Sequence, residues 1–158
     1  MIVFWLMVCC ECEIVVMMRM SSQVEYGLRA MLDIALNGSD GPVQAGDIHR
    51  RQGIDEHFIS QILLMLRRAG LIESLRGRQG GHRLARPASL ITVLEIIEAL
   101  EGSDEARDRT GRGNIIEVAV VRDAWNEARD RVRCCFRDVT LADLCERRNA
   151  LSTSSYMI

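Results

Sequence analysis

The chain has no lysine; all twenty of its basic residues are arginine. A phosphate-binding P-loop, which needs a lysine in a glycine-framed turn, is therefore absent. No nucleophile with a neighbouring base and no paired carboxylate stands in a pocket-forming context either, which argues against an enzyme. A GC-rich genome would produce the same arginine bias, yet each exposed guanidinium still offers a planar fork suited to phosphate or guanine. Long hydrophobic runs are missing too. Met1 to Val8 is apolar but far short of the roughly 20 residues that cross a bilayer, and it lacks the basic flank of a secretion signal. Without such a signal the six cysteines, Cys9, Cys10, Cys12, Cys134, Cys135 and Cys145, are expected as reduced thiols in the cytoplasm rather than as a disulfide framework.

What is present is an ordinary globular balance, 48% hydrophobic and 27% charged over 158 residues. That is room for one domain, or for a small domain with a dimerisation appendage. The net charge of −2 conceals a division. From Gln44 to Arg86 eight arginines face Asp47, Asp55, Glu56 and Glu73, a balance of +4, while the remaining twelve arginines face eighteen acids, a balance of −6. A basic block inside an acidic whole is what a nucleic-acid-reading face on a globular scaffold requires.

Local patterns organise that block. Ser22 followed by Glu25 has the spacing of a capping box and opens a helix whose Leu28, Met31, Leu32 and Ala35 share a face, ended by Asn37 and Gly38. A short helix from about Ala45 to Gln52 stops at Gly53, and Asp55 caps a second helix that buries Ile59, Ile62, Leu63 and Leu66. Two helices joined by so short a turn form a helix-turn-helix candidate. His57, Phe58, Ser60 and Gln61, in the first turns of its second helix, occupy the positions from which a recognition helix reaches base edges. Gln61 suits adenine and Phe58 a thymine methyl, although an aromatic at that place serves equally as a core residue.

From Ile72 to Pro87 two apolar-polar alternations enclose Gly77, Gly80 and Gly81 among Arg76, Arg78, Arg83 and Arg86. This is a hairpin tipped with positive charge, its glycines expected to supply positive-φ turns and close approach to phosphate. The order helix, strand, basic loop, strand belongs to a winged helix-turn-helix, mainly α with a small β-hairpin wing. A charged hairpin that only faces solvent is the alternative. Thr92 with Glu95 then marks another helix start, ending at Glu101 and Gly102, and residues 102–114 are almost without apolar side chains and read as a mobile loop.

Next, Val118, Val121, Trp125, Ala128, Val132, Cys135 and Val139 recur at alternating intervals of three and four, a heptad seam. Such a helix is expected to pair with its twin in a second subunit; packing on its own domain would give the same pattern. Thr140 to Leu144 begins a short terminal helix, and the residues from Asn149 look frayed. The resulting division is an apolar leader at 1–17, a winged helix-turn-helix at 18–101, the loop at 102–114, the dimerisation helix with a short terminal helix at 115–148, and a tail at 149–158. The leader is expected to be an over-extended reading frame that natively starts at Met18 or Met20, or else a hydrophobic extension packed on the dimer.

From Met18 to about Arg148 the chain resembles the Rrf2 family of winged-helix transcriptional regulators. The matching motifs are Glu25-Tyr26-Gly27-Leu28-Arg29-Ala30-Met31, Arg51-Gln52-Gly53-Ile54, Leu66-Arg67-Arg68-Ala69-Gly70-Leu71-Ile72 and Arg76-Gly77-Arg78-Gln79-Gly80-Gly81. They continue in register through Leu84-Ala85-Arg86-Pro87, Val121-Arg122-Asp123-Ala124-Trp125 and Thr140-Leu141-Ala142-Asp143-Leu144. The resemblance implies a homodimer joined by the long helix, two heads reading a palindromic operator in double-stranded DNA, and DNA contacts at His57, Phe58, Ser60, Gln61, Arg76 and Gly77, with Arg78 and Arg83 beside them in the wing.

One departure stands out. Sensing members of the family hold an iron-sulfur cluster on three cysteines in the loop before the dimerisation helix, and here residues 102–114 contain none. No metal site and no cofactor is therefore expected; Cys135 reads as a small hydrophobe on the seam, and Glu25, where some members donate a carboxylate to the cluster, is accounted for by its cap. The expectation is a dimeric DNA-binding repressor. The alternatives are an iron-sulfur or thiol redox sensor of unusual ligation, using Cys134, Cys135 or Cys145, and a module that sequesters a partner protein through its acidic C-terminal half.

Overall fold

The computed structural model describes residues 20–77, 79–101 and 116–155. The leader at 1–17, Arg78, the loop at 102–114 and the last three residues lie outside the described residues. Helix α1 (Ser22–Asn37) is capped one residue earlier than the serine-glutamate spacing suggests. Ser21 has the extended backbone of a cap, and its hydroxyl accepts the Val24 amide at 3.3 Å. Ser22 is already helical, so the Ser22–Glu25 box does not form, and Glu25 pairs at the surface with Arg29 at 3.4 Å. The buried face of α1 carries Val24, Ala30, Met31 and Ile34, and among them Asp33.

A carboxylate buried to 2% exposure is costly unless it is paired and hydrogen-bonded. Asp33 meets that condition on α2 (Ala45–Gln52). Arg51 donates to it through Nε at 2.9 Å and Nη2 at 2.6 Å, and Gln52 adds its amide at 3.0 Å. Arg29, one turn earlier on α1, donates to the Gln52 backbone carbonyl. Two side chains of α1 thus grip the C-terminal end of α2, which stops at Gly53 in the left-handed conformation, φ +66°. After a three-residue turn, Asp55 caps α3 (Glu56–Arg68) by accepting the Phe58 amide at 3.1 Å.

Strands β1 (Ile72–Leu75) and β2 (Gly81–Leu84) form the antiparallel hairpin, with Ser74 opposite His82 and Glu73 opposite Arg83. A third segment joins them. Val43, just before α2, exchanges both backbone hydrogen bonds with His82 at 2.8 Å each. The wing is therefore laced to the helix-turn-helix by main chain, not only by its own turn.

Helix α4 (Val93–Glu101) starts with the capping box its sequence announces: the Thr92 amide donates to the Glu95 carboxylate at 2.8 Å and the Glu95 amide to the Thr92 hydroxyl at 3.2 Å. Burial pushes the Glu95 carboxyl up, but the Thr92 amide and the Arg86 guanidinium outweigh it and hold its pKa below the usual value. Helices α5 (Ile116–Arg137) and α6 (Leu141–Ser155) follow. Between them the chain returns to the head: Val93 donates to the Val139 carbonyl and Leu141 to the Ile91 carbonyl, both at 2.8 Å.

This return corrects three expectations. Val139 is not on the long helix, so the seam ends at Cys135. The terminal helix is not short, because Thr140 and Asp143 cap it as Thr92 and Glu95 cap α4; it runs through Asn149 to Ser155, so the tail is helical there rather than frayed. Leu141, fully buried, also belongs to the same core as Met31, Ile48, Ile62 and Ile96. The core of the head is thus completed from beyond the long helix.

Replacing Arg51 by Ala is expected to cost about 3–5 kcal/mol, since it strands the Asp33 carboxylate with Gln52 as its remaining side-chain donor. Asp33→Asn should cost less, because Arg51 is 40% exposed and can hydrate. Urea unfolding of the two variants measures the difference; equal losses would contradict the asymmetry.

Candidate nucleic-acid interface

Helix α3 divides into two faces. Ile59, Ile62, Leu63 and Leu66 enter the core, while His57, Ser60, Gln61, Leu64, Arg67 and Arg68 are exposed. On the outer face Gln61 and His57 are within hydrogen-bond reach of each other, at 3.0 Å between their Nε2 atoms. Ser60 donates its hydroxyl to the Glu56 carbonyl at 2.9 Å. Phe58 sits apart from them: it is half-buried against the core, and its ring stands edge-on to Tyr26, with centroids 5.6 Å apart.

In the wing Arg76 is exposed, and Gly77 turns the chain with φ +108°. Arg83 points to the outer side of the hairpin and gives both Nε and Nη2 to Glu73, at 2.9 and 2.7 Å. Arg78 lies outside the described residues. Gly80 and Gly81 also serve a purpose that was not expected, and Gly81 keeps a positive φ of +159°. Gly80 has no positive φ, and a Cβ on it would meet the Leu75 carbonyl at 2.2 Å; one on Gly81 would meet the Val43 carbonyl at 2.7 Å. Both glycines make room for the protein's own backbone.

Two further residues, which no local motif marks, stand between helix and wing. Ser74 and His82 share a face of the hairpin with Ile72 and Leu84, by the two-residue alternation of strands, and that face is turned to α3. With Ser60 and Arg67 they line a cleft. Burial and the neighbouring Arg67 both lower the pKa of His82 from its ordinary value. The parity was available in the sequence, but the side of the hairpin facing α3 depends on the long-range pairing of Val43 with His82. Arg67, Arg68 and Arg76 make no ion pair among the described residues.

The long helix has an inverted arrangement. None of its residues is fully buried. Its half-buried positions are largely polar, Arg122, Asn126, Arg129 and Arg133, with Arg133 paired to Glu98 on α4. The seam residues Val118, Val121, Trp125, Ala128 and Cys135 are exposed, Val121 to 70% and Trp125 to 71%, and Val132 is half-buried.

Among the described residues no group of three or more histidines, cysteines or acids could hold a metal ion. Cys134 and Cys135 are exposed on α5 and Cys145 lies on α6, where burial pushes its thiol up against the pull of Arg148. Among the described residues these thiols form no convergent set of the kind that holds an iron-sulfur cluster.

The model of the Rrf2 family, described as an iron-dependent transcriptional regulator, matches residues 20–147. The chain belongs to the Rrf2 family. It is 36% identical over 139 residues to the HTH-type transcriptional regulator IscR of Escherichia coli O1:K1, an overlap covering 87% of this chain and 86% of that one. Among solved structures, T. potens IscR superposes with a TM-score of 0.70 at 32% identity, covering 85% of this chain and 90% of the other. CymR, described as the global cysteine regulator of B. subtilis, does so with a TM-score of 0.69 at 31% identity, covering 83% and 98%. The relatives of this Rrf2-family protein are transcriptional regulators rather than enzymes, and its fold is the winged helix they share.

Gly81→Ala is expected to lower stability by about 1–3 kcal/mol, because the added methyl must displace main chain rather than a movable side chain. The loss should be accompanied by faster hydrogen exchange at the Val43 and His82 amides. Unchanged exchange at those two amides would contradict the assignment.

Proposed function

We propose that this Rrf2-family regulator is a dimeric, sequence-specific DNA-binding protein that represses transcription by occupying a palindromic operator. Helix α3 enters the major groove and the wing lies on the adjoining backbone or minor groove. The observation that carries the reading is the outer face of α3: His57, Ser60 and Gln61 stand exposed in its first turns, flanked by Arg67, Arg68 and Arg76, which make no ion pair among the described residues. Polar side chains reach base edges while arginines neutralise phosphate, the division of labour of a DNA reader. Gln61 and His57 serve readout; Arg76 and Gly77 serve the wing contact, with Arg78 beside them. Phe58 is assigned to the core, and Arg83 contributes only if DNA draws it from Glu73.

Dimerisation is supported by α5, whose apolar side chains face outward while polar ones face its own head. Contiguous exposed apolar surface of this kind marks an interaction face, and a heptad seam suits a second copy.

Fluorescence anisotropy with a duplex of the protein's own promoter tests the first part. Arg76→Ala should weaken binding about tenfold on operator and random duplex alike and lower the salt slope by about one. Affinity for the promoter no higher than for random duplex would refute sequence-specific reading. Sedimentation tests the second part: Trp125→Asp should shift a dimer to a folded monomer, since Trp125 is 71% exposed within one chain. A wild-type monomer would overturn the assignment of the seam.

A further inference from the structure

We infer that the cleft between α3 and the wing is a seat for one backbone phosphate of the DNA duplex, held by Arg67, Ser74 and His82. The inference rests on the DNA-binding reading above and adds residues to it. A cleft of about 180 Å³ opens there, with Ala45, Leu63 and Leu64 on its walls and Ser60, Arg67, Ser74 and His82 supplying its polar groups. Among the described residues no carboxylate lines it.

Its place in the fold identifies the ligand. When a helix occupies the major groove and its wing the adjoining minor groove, the sugar-phosphate strand separating the two grooves must run between helix and wing. The cleft lies on that line. Arg67 is exposed and makes no ion pair among the described residues, so its planar fork is available to a phosphate oxygen.

Ser74 and His82 supply a donor in either tautomer. Ser74 Oγ lies 3.2 Å from His82 Nδ1. If the hydroxyl donates to Nδ1, the Nε2 proton is left for the phosphate; if Nδ1 donates to the hydroxyl oxygen, the hydroxyl proton is left instead. Ala45 is the first residue of α2, whose start has no side-chain cap, so the positive end of that helix faces the same space.

A consequence concerns pH. Among the described residues the charged group that acts on His82 is Arg67 on α3; Ser74 on β1 is neutral, the segment before α2 offers the Val43 main chain, and Glu73 and Arg83 occupy the other face of the hairpin. On α1, which also packs on β2, Glu25 is engaged with Arg29, Arg29 with Gln52 of α2, and Asp33 with Arg51 and Gln52. In the free protein burial and Arg67 disfavour the imidazolium. A phosphate in the cleft offsets both effects and favours it, so binding takes up a proton and affinity rises as pH falls from 8 towards about 6.

Anisotropy of the full chain with a random-sequence duplex tests this, with Arg76→Ala as the control for DNA binding as such. Arg67→Gln should weaken binding about tenfold and lower the salt slope by about one. His82→Gln should bind more weakly than wild type already at pH 8, because the Ser74–His82 donor arrangement is lost, and should gain less than wild type on going to pH 6. If Arg76→Ala weakens binding while Arg67→Gln leaves affinity and salt slope unchanged, the phosphate seat is overturned and the DNA reading survives. Absence of any duplex binding by wild type removes both. Arg67 is exposed, so Arg67→Gln remains informative even if His82→Gln fails to fold. Inorganic phosphate at constant ionic strength is the second probe. It should neither displace the duplex nor shift the His82 ring resonances; if it does both, the cleft belongs to a free phosphate and the backbone assignment is overturned.

Discussion

Asp33 lies on the inner face of α1, 2% exposed, with Arg51 and Gln52 closed around its carboxylate. The buried carboxylate cannot be satisfied by water, so the two helices keep the one relative placement in which the fork fits. Arg29 reinforces it by donating to the Gln52 carbonyl at the same helix end. Because α3 follows α2 after three residues, the angle at which its outer face is presented is inherited from this contact. The interaction is therefore better understood as setting geometry than as adding stability, since a well-packed apolar pair in the same space would stabilise as much.

The wing is placed by a separate and weaker device. Two four-residue strands alone are marginal in water. The exchange of hydrogen bonds between Val43 and His82 makes the hairpin a three-segment sheet and ties it to the chain entering α2. That exchange needs the two backbones closer than a methyl group permits, which is why glycine stands at 81. The wing is then tied by main chain to the end of α3 through Leu71 and to the chain entering α2 through Val43.

Much of this was legible beforehand, and the failures share a cause. The helices around Ile59 to Leu66 and Val93 to Leu100 follow from period and caps within a few residues, because both signals are local. The box at Ser22 went wrong by one position: serine stands at 21 and 22 alike, and only backbone geometry separates the cap from the first helical residue. The glycines at 80 and 81 were read for turn and phosphate because their true neighbours, Leu75 and Val43, are brought up by pairing. Leu141 could not be assigned to the core of the head, and Ser74 and His82 could not be assigned to the side of α3, for the same reason. The metal question behaved differently. The absence of cysteine from 102–114 is a property of composition and is read without any knowledge of pairing.

The return of the chain from α5 to the head bears on how a signal could reach DNA. Val139 and Leu141 pair with Val93 and Ile91, and Leu141 fills the core beside α1. The base of α5 is thus fastened to α4 by main chain, and its side is held to α4 by the Arg133–Glu98 pair. A long helix with no buried residue of its own takes its direction from attachments such as these and from whatever covers its apolar face. If that cover is a second copy, the spacing of two α3 helices is set by α5 acting through its base. A change in how two copies cross would then alter half-site spacing without disturbing either reading head, since the Asp33 contact and the Val43–His82 exchange both lie on the far side of the attachment.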